Sequence, residues 1–307
     1  LLDVLAYNTH YLGFNANMLA NEMFLDSADL RSSVVSKAKQ VGYTPTSSVA
    51  SKAIIDVVVN NASGASLVMS AGTRFTTSLN DQSYSFVNKA DVTITPVDGV
   101  YKFSDLEICE GSYLNFKYTA NTSDLEQRFI IPNDDVDTTT LTVKVQESSS
   151  DSTTNTYALA DGLTGLTPTS QVYFLQEVEN GRYEVYFGDG VLGKAIADGN
   201  IVILDYVSCN RSLPNGASTF TLSGTIGGFS NVTITTKSNA ANGTGPESIK
   251  SIKFNAPRDY ASQDRAVTAE DYKVLVKSLY ANAAAVQVYG GEDAEVPAYG
   301  KVFISIR

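Results

Sequence analysis

The sequence is poor in the residues on which most enzyme chemistry depends. It has 307 residues, among them one histidine, two cysteines and no tryptophan. Nucleophilic catalysis by serine or cysteine needs an activating base, and His10 has no cysteine or elbow-type serine near it in the sequence. We therefore interpret His10 as a surface or interface residue of a helix. We predict no enzyme activity, no catalytic residue and no cofactor.

The two cysteines do not point to redox or metal chemistry. Cys109 and Cys209 lie far apart in the sequence, and two cysteines are too few for a disulfide-rich framework. A metal site would need further ligands that the sequence does not group with them. Because cysteine is often a small buried apolar residue, we predict that both are free thiols in strands and that the chain binds no metal.

Positive charge and long apolar runs are also scarce. The chain has 22 basic and 33 acidic residues, which gives a net charge of −11. A nucleic-acid-binding surface needs clustered lysine and arginine, so we predict no nucleic-acid partner. The sequence has no signal-peptide pattern and no apolar run of about 18 residues, so we predict no membrane-spanning segment and no membrane partner.

The acidic residues leave two alternatives open. The segment Asn133–Asp137 could offer oxygen ligands to calcium, but it lacks the glycine and the distal glutamate of a full calcium loop. We favour a solvated turn between strands for this segment. A pair of carboxylates for glycoside hydrolysis could meet only in three dimensions, and no motif favours one.

The start of the chain has the pattern of two helices. In the first, over residues 1–25, apolar pairs recur at heptad spacing, and a row of asparagines that Glu22 continues lies beside them. Polar residues in such a seam set register and partner number, so we predict packing against a partner helix; a helix lying on its own domain is the alternative. The second helix is predicted over residues 27–41, with Asp26 or Ser27 as its N-cap. The predicted seam consists of Val4, Leu5, Asn8, Tyr11, Leu12, Asn15, Met18 and Leu19.

The middle of the chain has the pattern of an antiparallel β-sandwich or barrel. From about residue 49 to residue 147, short runs of β-branched and aromatic residues alternate with turn residues. Residues 148–156 are almost all Ser, Thr, Asp and Asn, which indicates a surface loop.

A hairpin is predicted around Asn180-Gly181, which lies between two alternating runs. A two-residue turn there sets Glu177 opposite Glu184. Facing carboxylates are tolerable only where water screens them, so we predict a solvated face for this pair. The opposite side of the hairpin, which carries Phe174 and Phe187, is predicted to be buried.

The last part of the chain changes class. A short helix is predicted over residues 246–254, and a longer one begins at Thr268 and ends near Asn282. Strands are predicted over residues 285–289 and 301–306. This alternation indicates a small α/β domain.

These patterns together predict an α+β fold. A helical segment for partner packing occupies residues 1–45, an antiparallel β domain 46–147, a second β-rich region 148–240, and an incomplete α/β domain 241–307. Both ends cut through a predicted element, so we expect the chain to be part of a larger polypeptide.

A glycine-rich string follows the predicted hairpin. It runs from Gly188 through Asp189 and Gly190 to Gly193. A phosphate-binding loop would need a Lys-Ser/Thr ending and a following helix, and both are missing from the pattern. We therefore predict a tight strand-to-strand turn, in which the glycines allow positive φ angles.

Three blocks of sequence together resemble baseplate J-like proteins, most closely the version found in T-even-like contractile-tailed phages. The first block runs from Leu5–Thr9 through Ala28–Ser32 to Gly42–Pro45. The second runs from Tyr183 through the glycine string to Asn215-Gly216. The third holds Glu247–Ile249, Ala256-Pro257 and the stretch from Arg265 to Tyr272. The motif residues are Gly188, Asp189, Gly190, Gly193, Arg265, Ala266, Thr268, Asp271 and Tyr272.

This resemblance implies a structural subunit of a phage tail baseplate wedge. Such proteins form the inner baseplate ring around the hub and transmit the change that triggers sheath contraction. Two copies would join a third, long wedge protein through a helical bundle formed partly by residues 1–41, and the section near Arg265 and Tyr272 would join neighbouring copies. The implied partners are other copies of the chain, as a dimer within a wedge and a ring between wedges, and other wedge and hub proteins. The implied location is the virion, after assembly in the host cytoplasm.

The alternative function is a polysaccharide-binding or polysaccharide-cleaving β protein of the tailspike type. It would need an aromatic groove with paired carboxylates. The absence of tryptophan counts against such a groove, although 17 tyrosines leave room for one.

Overall fold

The computed structural model describes residues 2–124, 127–160, 162, 165–263, 265–280, 283 and 285–307. The chain divides into two compact units. Unit 1 comprises Leu1–Thr46, Gln176–Gly181 and Glu247–Arg307, and unit 2 comprises Ser47–Leu175 and Arg182–Pro246. The predicted α+β class is confirmed: helices at the start of the chain, sheets in the middle, and a small region of helix and strand at the end.

The chain begins with α1 (Leu2–Asn21) and α2 (Arg31–Gln40). The strands that follow are β1 (Lys52–Val59), β2 (Leu67–Met69), β3 (Arg74–Leu79), β4 (Gln82–Val87), β5 (Val92–Ile94), β6 (Tyr101–Glu110), β7 (Ser112–Thr119), β8 (Phe129–Ile130), β9 (Val136–Gln146), β10 (Thr154–Leu159), β11 (Val172–Glu177), β12 (Tyr183–Phe187), β13 (Ile201–Ser208), β14 (Thr221–Ser223) and β15 (Val232–Ala241). The last elements are α3 (Ile249–Ser262), α4 (Ala269–Leu279), β16 (Val286–Gly290) and β17 (Val302–Ile306).

Unit 2 contains two large sheets. The first has the strand order β14-β3-β4-β6-β1-β15, and the second has the order β7-β13-β9-β10-β11-β12-β8. Strands β10 and β11 run parallel, and the other pairs whose register is described run antiparallel. Each sheet has its own apolar core. The largest fully buried side chains of the first core are Ile55, Met69, Phe75, Phe86, Phe103, Ile108 and Ile226, and those of the second are Ile131, Leu204 and Tyr206.

Unit 1 has a smaller core, in which α2 packs against α3. The buried residues there are Ala28, Val34, Val35, Ala38, Ile252 and Ala256. Pro257 lies inside α3, one residue after the buried Ala256. The strands β16 and β17 pair antiparallel. The predicted domain boundaries after residues 45, 147 and 240 stay a proposal.

Several helix ends differ from those predicted. Helix α1 ends at Asn21 and not near residue 25, and the predicted start at Leu1 lies outside the described residues. Helix α3 is longer than predicted and begins at Ile249. The predicted end of α4 at Asn282 also lies outside the described residues; the helix ends at Leu279.

The predicted N-cap of α2 was wrong. The helix begins at Arg31, and Leu30 is the N-cap residue without a side-chain cap bond. Neither Asp26 nor Ser27 caps the helix. Instead the carboxylate of Glu22 accepts hydrogen bonds from the Asp29 and Leu30 amides. Sequence reasoning looks for a cap in the residue next to the helix, and this acceptor comes from further back in the chain.

The turn predicted at Asn180-Gly181 is present. Asn180 and Gly181 have φ angles of 60° and 74°, the left-handed values that a tight hairpin turn requires. The shared buried side predicted for Phe174 and Phe187 was only partly right. Phe187 is half-buried against the second core, whereas the half-buried Phe174 stacks on the exposed Tyr186, with ring centroids 5.1 Å apart.

The solvated face predicted for Glu177 and Glu184 was wrong. Their exposed fractions are 1% and 6%. Arg31 binds both oxygens of Glu177, at 2.7 and 2.8 Å, and Arg128 binds both oxygens of Glu184, at 3.0 and 2.8 Å. The prediction counted only the repulsion between two facing carboxylates. A bidentate arginine on each of them compensates its charge and allows burial.

Both cysteines are buried and free, and they lie in one small cluster with Ala50. Cys109 is in β6 as predicted, whereas Cys209 lies one residue beyond the end of β13. Burial raises the pKa of the thiols, to about 11 for Cys109 and about 12 for Cys209. Neither cysteine is therefore a reactive thiolate at neutral pH.

Candidate interaction surface

Every residue of helix α1 is exposed except Asn15, which is half-buried. None of its residues is buried. Leu12 and Leu19, both in the predicted seam, are 68% and 71% exposed. Most helix stability in proteins comes from burial of an apolar face, and α1 buries no residue within the described chain. The exposed apolar side chains on and just beyond this helix are Leu2, Val4, Leu5, Tyr7, Tyr11, Leu12, Phe14, Met18, Leu19, Met23 and Phe24.

The residues of the predicted seam lie on one face of α1. At about 100° per residue, Asn8 and Asn15 follow one line along the helix. Apolar residues at heptad spacing flank this line on both sides, Leu5, Leu12 and Leu19 on one and Val4, Tyr11 and Met18 on the other. The structure thus places the eight residues together, with the two amides at the centre of the face.

The apolar surface extends beyond this seam in both directions. Leu2 and Ala16 widen it on one side, and Tyr7 and Phe14 on the other. Tyr7 and Tyr11 stack with ring centroids 6.3 Å apart. The apolar surface therefore covers about 240° of the helix circumference, far more than the narrow seam of a two-stranded coiled coil.

The glycine string is a tight loop held by its own atoms. Asp189 accepts hydrogen bonds from the Val191 and Leu192 amides, both at 2.9 Å, and these bonds lower the pKa of its carboxyl group. A Cβ at Gly188 would lie 2.3 Å from the carbonyl oxygen of Leu192. The loop is closed by a bond from the Gly190 amide to the Gly193 carbonyl. These contacts fit the tight turn that was predicted. Backbone packing accounts for Gly188, and positive φ angles of 87° and 95° account for Gly190 and Gly193.

The third motif block forms the start of α4. Thr268 is the N-cap: its hydroxyl accepts from the Asp271 amide at 3.2 Å, and the Asp271 carboxylate accepts from the Thr268 amide at 2.8 Å. This reciprocal arrangement lowers the pKa of Asp271. Arg265 donates to Gln263 at 2.7 Å, and Ala266 is exposed. The predicted cap at Thr268 is confirmed. The half-buried Tyr272 lines an open cavity of about 510 Å³ with residues of β16 and β17.

A polar node that sequence reasoning missed lies between α2 and α3. The Glu247 carboxylate accepts from the Tyr43 hydroxyl, the Thr46 amide, the Ser251 hydroxyl and the Asn255 side chain. Burial and the neighbouring Glu247 raise the pKa of Tyr43. In the sequence, Tyr43 and Glu247 belong to separate motif blocks. Spacing along the chain could not reveal this node, because Tyr43 and Glu247 lie 204 residues apart.

The acidic segment proposed as a possible calcium loop is tied to protein groups. Asp137 is fully buried and accepts from the Ala50 amide at 2.9 Å, which corrects the prediction of a solvated turn for this residue. Asp134 pairs with Arg182, and Asp135 pairs with Arg211. Over the part of the chain that the structure describes, no group of three or more metal-ligating side chains comes together, and no helix is long and apolar enough to cross a membrane.

Comparisons with known proteins agree on one family. A family model described as the third domain of the bacteriophage baseplate wedge protein gp6 matches residues 116–215, which include the glycine loop. A model described as C-terminal domain I of the baseplate structural protein gp6 matches residues 268–307, which include α4. The baseplate wedge protein gp6 of Enterobacteria phage T4 is 28% identical over 326 residues, an alignment that covers 97% of this chain and 48% of that protein. The chain thus spans about half the length of this relative.

One chain in the cryo-EM structure of the anti-feeding prophage baseplate is also similar. The alignment covers 92% of this chain and 53% of that chain, with 11% sequence identity and a TM-score of 0.32. At that score the likeness carries no argument about fold or function. The sequence matches support the baseplate wedge family. The tailspike-type alternative gains no support from them.

Proposed function

We propose that this chain is a structural subunit of a phage tail baseplate wedge that joins other wedge proteins through α1. The single observation that carries the proposal is the wide apolar surface of this helix, which no part of the described chain buries. Fully burying a leucine or methionine contributes roughly 1.5–3 kcal/mol, so the seam has ample driving force for association. The matches to baseplate wedge proteins supply the class of partner.

The width of the apolar surface favours more than one partner helix. A single neighbour would cover a narrow seam and leave Leu2 and Ala16 or Tyr7 and Phe14 exposed. We therefore propose that α1 lies in a bundle of at least three helices, formed by two copies of this chain and a helix of a longer wedge protein. In such a bundle Asn8 and Asn15 would restrict the register, at some cost in stability, because an amide is costly to bury without a partner.

Further features of the proposal rest on the resemblance to J-like baseplate proteins. We propose that copies in neighbouring wedges form the inner ring around the hub through the section near Arg265 and Tyr272. The ring would transmit the conformational change that triggers sheath contraction. Assembly would take place in the host cytoplasm, before the subunit is part of the virion tail.

The test is the size of the purified chain in solution, measured by light scattering over a concentration series, alone and mixed with the candidate long wedge protein. We expect a complex with two copies of this chain and one partner. Leu12→Asp should abolish the complex, because it sets a charge in the centre of the seam. Val97→Asp is the matched control, since Val97 is 71% exposed in a turn of unit 2. A wild-type chain that stays monomeric with the partner, or an assembling Leu12→Asp variant, would contradict the proposal.

A further inference from the structure

The segment between α1 and α2 forms a hydrogen-bonded elbow, here defined as residues 22–30. The Glu22 carboxylate accepts from the Asp29 amide at 2.9 Å and from the Leu30 amide at 3.3 Å. These two amides precede the first turn of α2, where backbone donors have no partner within the helix. A carboxylate at a helix N-terminus is also favoured by the helix dipole. Glu22 thus links the end of α1 to the start of α2.

The elbow itself is fastened to the core of unit 1. Ala28 is fully buried in the core between α2 and α3, and Leu25 packs against the same core. Lys253 of α3 donates to the backbone carbonyl of Asp26 at 3.0 Å. The Ser27 hydroxyl donates to the carbonyl of Asn21, the last residue of α1, at 2.6 Å.

The apolar seam of α1 has no comparable attachment. Since no residue of α1 is buried, packing does not set the direction of this helix, and the elbow is what remains to set it. We infer that Glu22 is a positioning residue, which holds α1 as a preoriented arm for its partner helices. The inference rests on the proposed function. An arm whose direction is already set loses less conformational freedom on binding, so assembly is tighter.

The elbow should depend on pH in a defined direction. The Ser33 hydroxyl and the Asp29 amide hold the pKa of Glu22 below its usual range. For a carboxyl group whose pKa is lowered by folding, the stabilisation is present above the ordinary glutamate value and is lost as the pH falls through the lowered pKa. Lys253 also acts on Glu22 and favours its ionised form. Asp29, whose amide binds Glu22, carries an exposed carboxylate.

The direct test measures the direction of the arm. Spin labels are attached to Asn17→Cys on α1 and Lys250→Cys on α3, both exposed positions, and pulsed electron resonance gives the distribution of distances between them. The native thiols are buried and protonated, so they should not label. We expect a narrow distribution for the wild-type elbow, a broad one for Glu22→Ala, and an intermediate one for Glu22→Gln, which keeps one acceptor oxygen.

The matched control is Asp26→Asn, because the bond that Asp26 makes to Lys253 uses its backbone carbonyl and survives the change. The wild-type distribution should broaden at acid pH, and that of Glu22→Gln should not change. A narrow distribution for Glu22→Ala would overturn the inference, whatever the state of assembly.

The second test is association with the long wedge protein. Glu22→Ala should weaken the complex by about threefold to tenfold, and Asp26→Asn should leave it unchanged. Equal affinities of wild type and Glu22→Ala would overturn the positioning role. A wild-type chain with a narrow distance distribution that binds no partner would instead contradict the proposed function and leave the elbow standing, so the two failures can be told apart.

Discussion

Helix α1 and strand β13 are both rich in apolar side chains, but the chain buries only the strand. In β13 every residue from Val202 to Val207 is buried, because the strand lies inside the second sheet between β7 and β9. In α1 no residue is buried. An apolar pattern therefore shows that a segment needs a partner, and it does not show whether that partner lies in the same chain. The polar residues of the two segments make the distinction clearer.

The polar residue of β13 has its partners within the chain. Asp205 is 4% exposed; its carboxylate accepts from Lys144 of β9 at 2.9 Å and from Asn115 of β7 at 2.5 Å. Asn8 and Asn15, the polar residues of the α1 seam, lie among exposed apolar side chains. The polar side chain of the buried strand thus finds its hydrogen-bond partners on the strands that pack beside it. We expect the α1 asparagines to find theirs on partner helices when the wedge assembles.

The largest expected effect is the difference in stability between two leucine-to-alanine variants, one in β13 and one in α1. Leu204→Ala in β13 should lower the free energy of unfolding by about 2–5 kcal/mol, because it opens a cavity in a fully buried site. Leu12→Ala in α1 should change the unfolding of the isolated chain by less than about 0.5 kcal/mol and should weaken the wedge complex. Denaturant titration at low protein concentration measures the first quantity, and sedimentation measures the second. Equal losses of stability would mean that α1 packs on its own domain.

The next effect concerns the charge buried in β13. Lys144→Met should destabilise the chain by about 1–3 kcal/mol, because it leaves the Asp205 carboxylate without its cation in a buried position. Lys117→Met is the control, since Lys117 is an exposed lysine of the neighbouring strand β7, opposite Ile203. Thermal unfolding of both variants measures the difference. If they lose the same stability, Asp205 does not need Lys144, and the contrast with the α1 asparagines weakens.

A smaller, pH-dependent effect is expected at Asp56 of β1. Hydrogen bonds from Lys102 and the Asp105 amide, with Lys237 nearby, lower the pKa of Asp56 from 3.8 to about 2. The ionised Asp56 should therefore stabilise the fold above pH 3.8, and this stabilisation should be lost as the pH falls through about 2. The effect is limited because both lysines are more than a third exposed and are screened by water.

The measurement for Asp56 is the difference in melting temperature between wild type and Asp56→Asn across this pH range. The difference should shrink as the solution becomes more acidic. A difference that stays constant with pH would show that the lysines hold Asp56 by geometry and not by charge.

Local patterns predicted what depends on neighbouring residues. The apolar periodicity near the start of the chain predicted a helix there, and Thr268 with Asp271 predicted the start of α4. The asparagine and glycine of the hairpin predicted the turn between β11 and β12. In each case the interacting groups lie within a few turns of one chain segment, so the sequence contains the whole signal.

Long-range pairing could not be predicted in this way. The partners of the buried Glu177 and Glu184 are Arg31 and Arg128, which lie 146 and 56 residues away. Without them, burial of two acids looked too costly. Glu22 was predicted to continue the polar row of the seam, and the structure shows it turned back toward α2, because the helix ends before it.

The smallest effect tests whether the contrast between the two segments extends to α4. Thr268→Ala should cost about 1 kcal/mol of stability, the usual loss for an N-cap, and Thr268→Ser should restore most of it. If α4 serves only the fold of unit 1, the substitutions should change assembly only by changing the fraction of folded protein. Both variants should then bind wedge partners as tightly as wild type does at temperatures where they are folded. If Thr268→Ala weakens ring or wedge assembly by more than its loss of stability explains, the start of α4 belongs to an interface. Arg265 and Tyr272 would then be the residues to change next. Calorimetry measures the loss of stability, and sedimentation of the same samples measures the loss of assembly. A loss of assembly larger than the loss of stability explains would indicate a second interaction surface like that of α1, and an equal loss would indicate a helix with a structural role only.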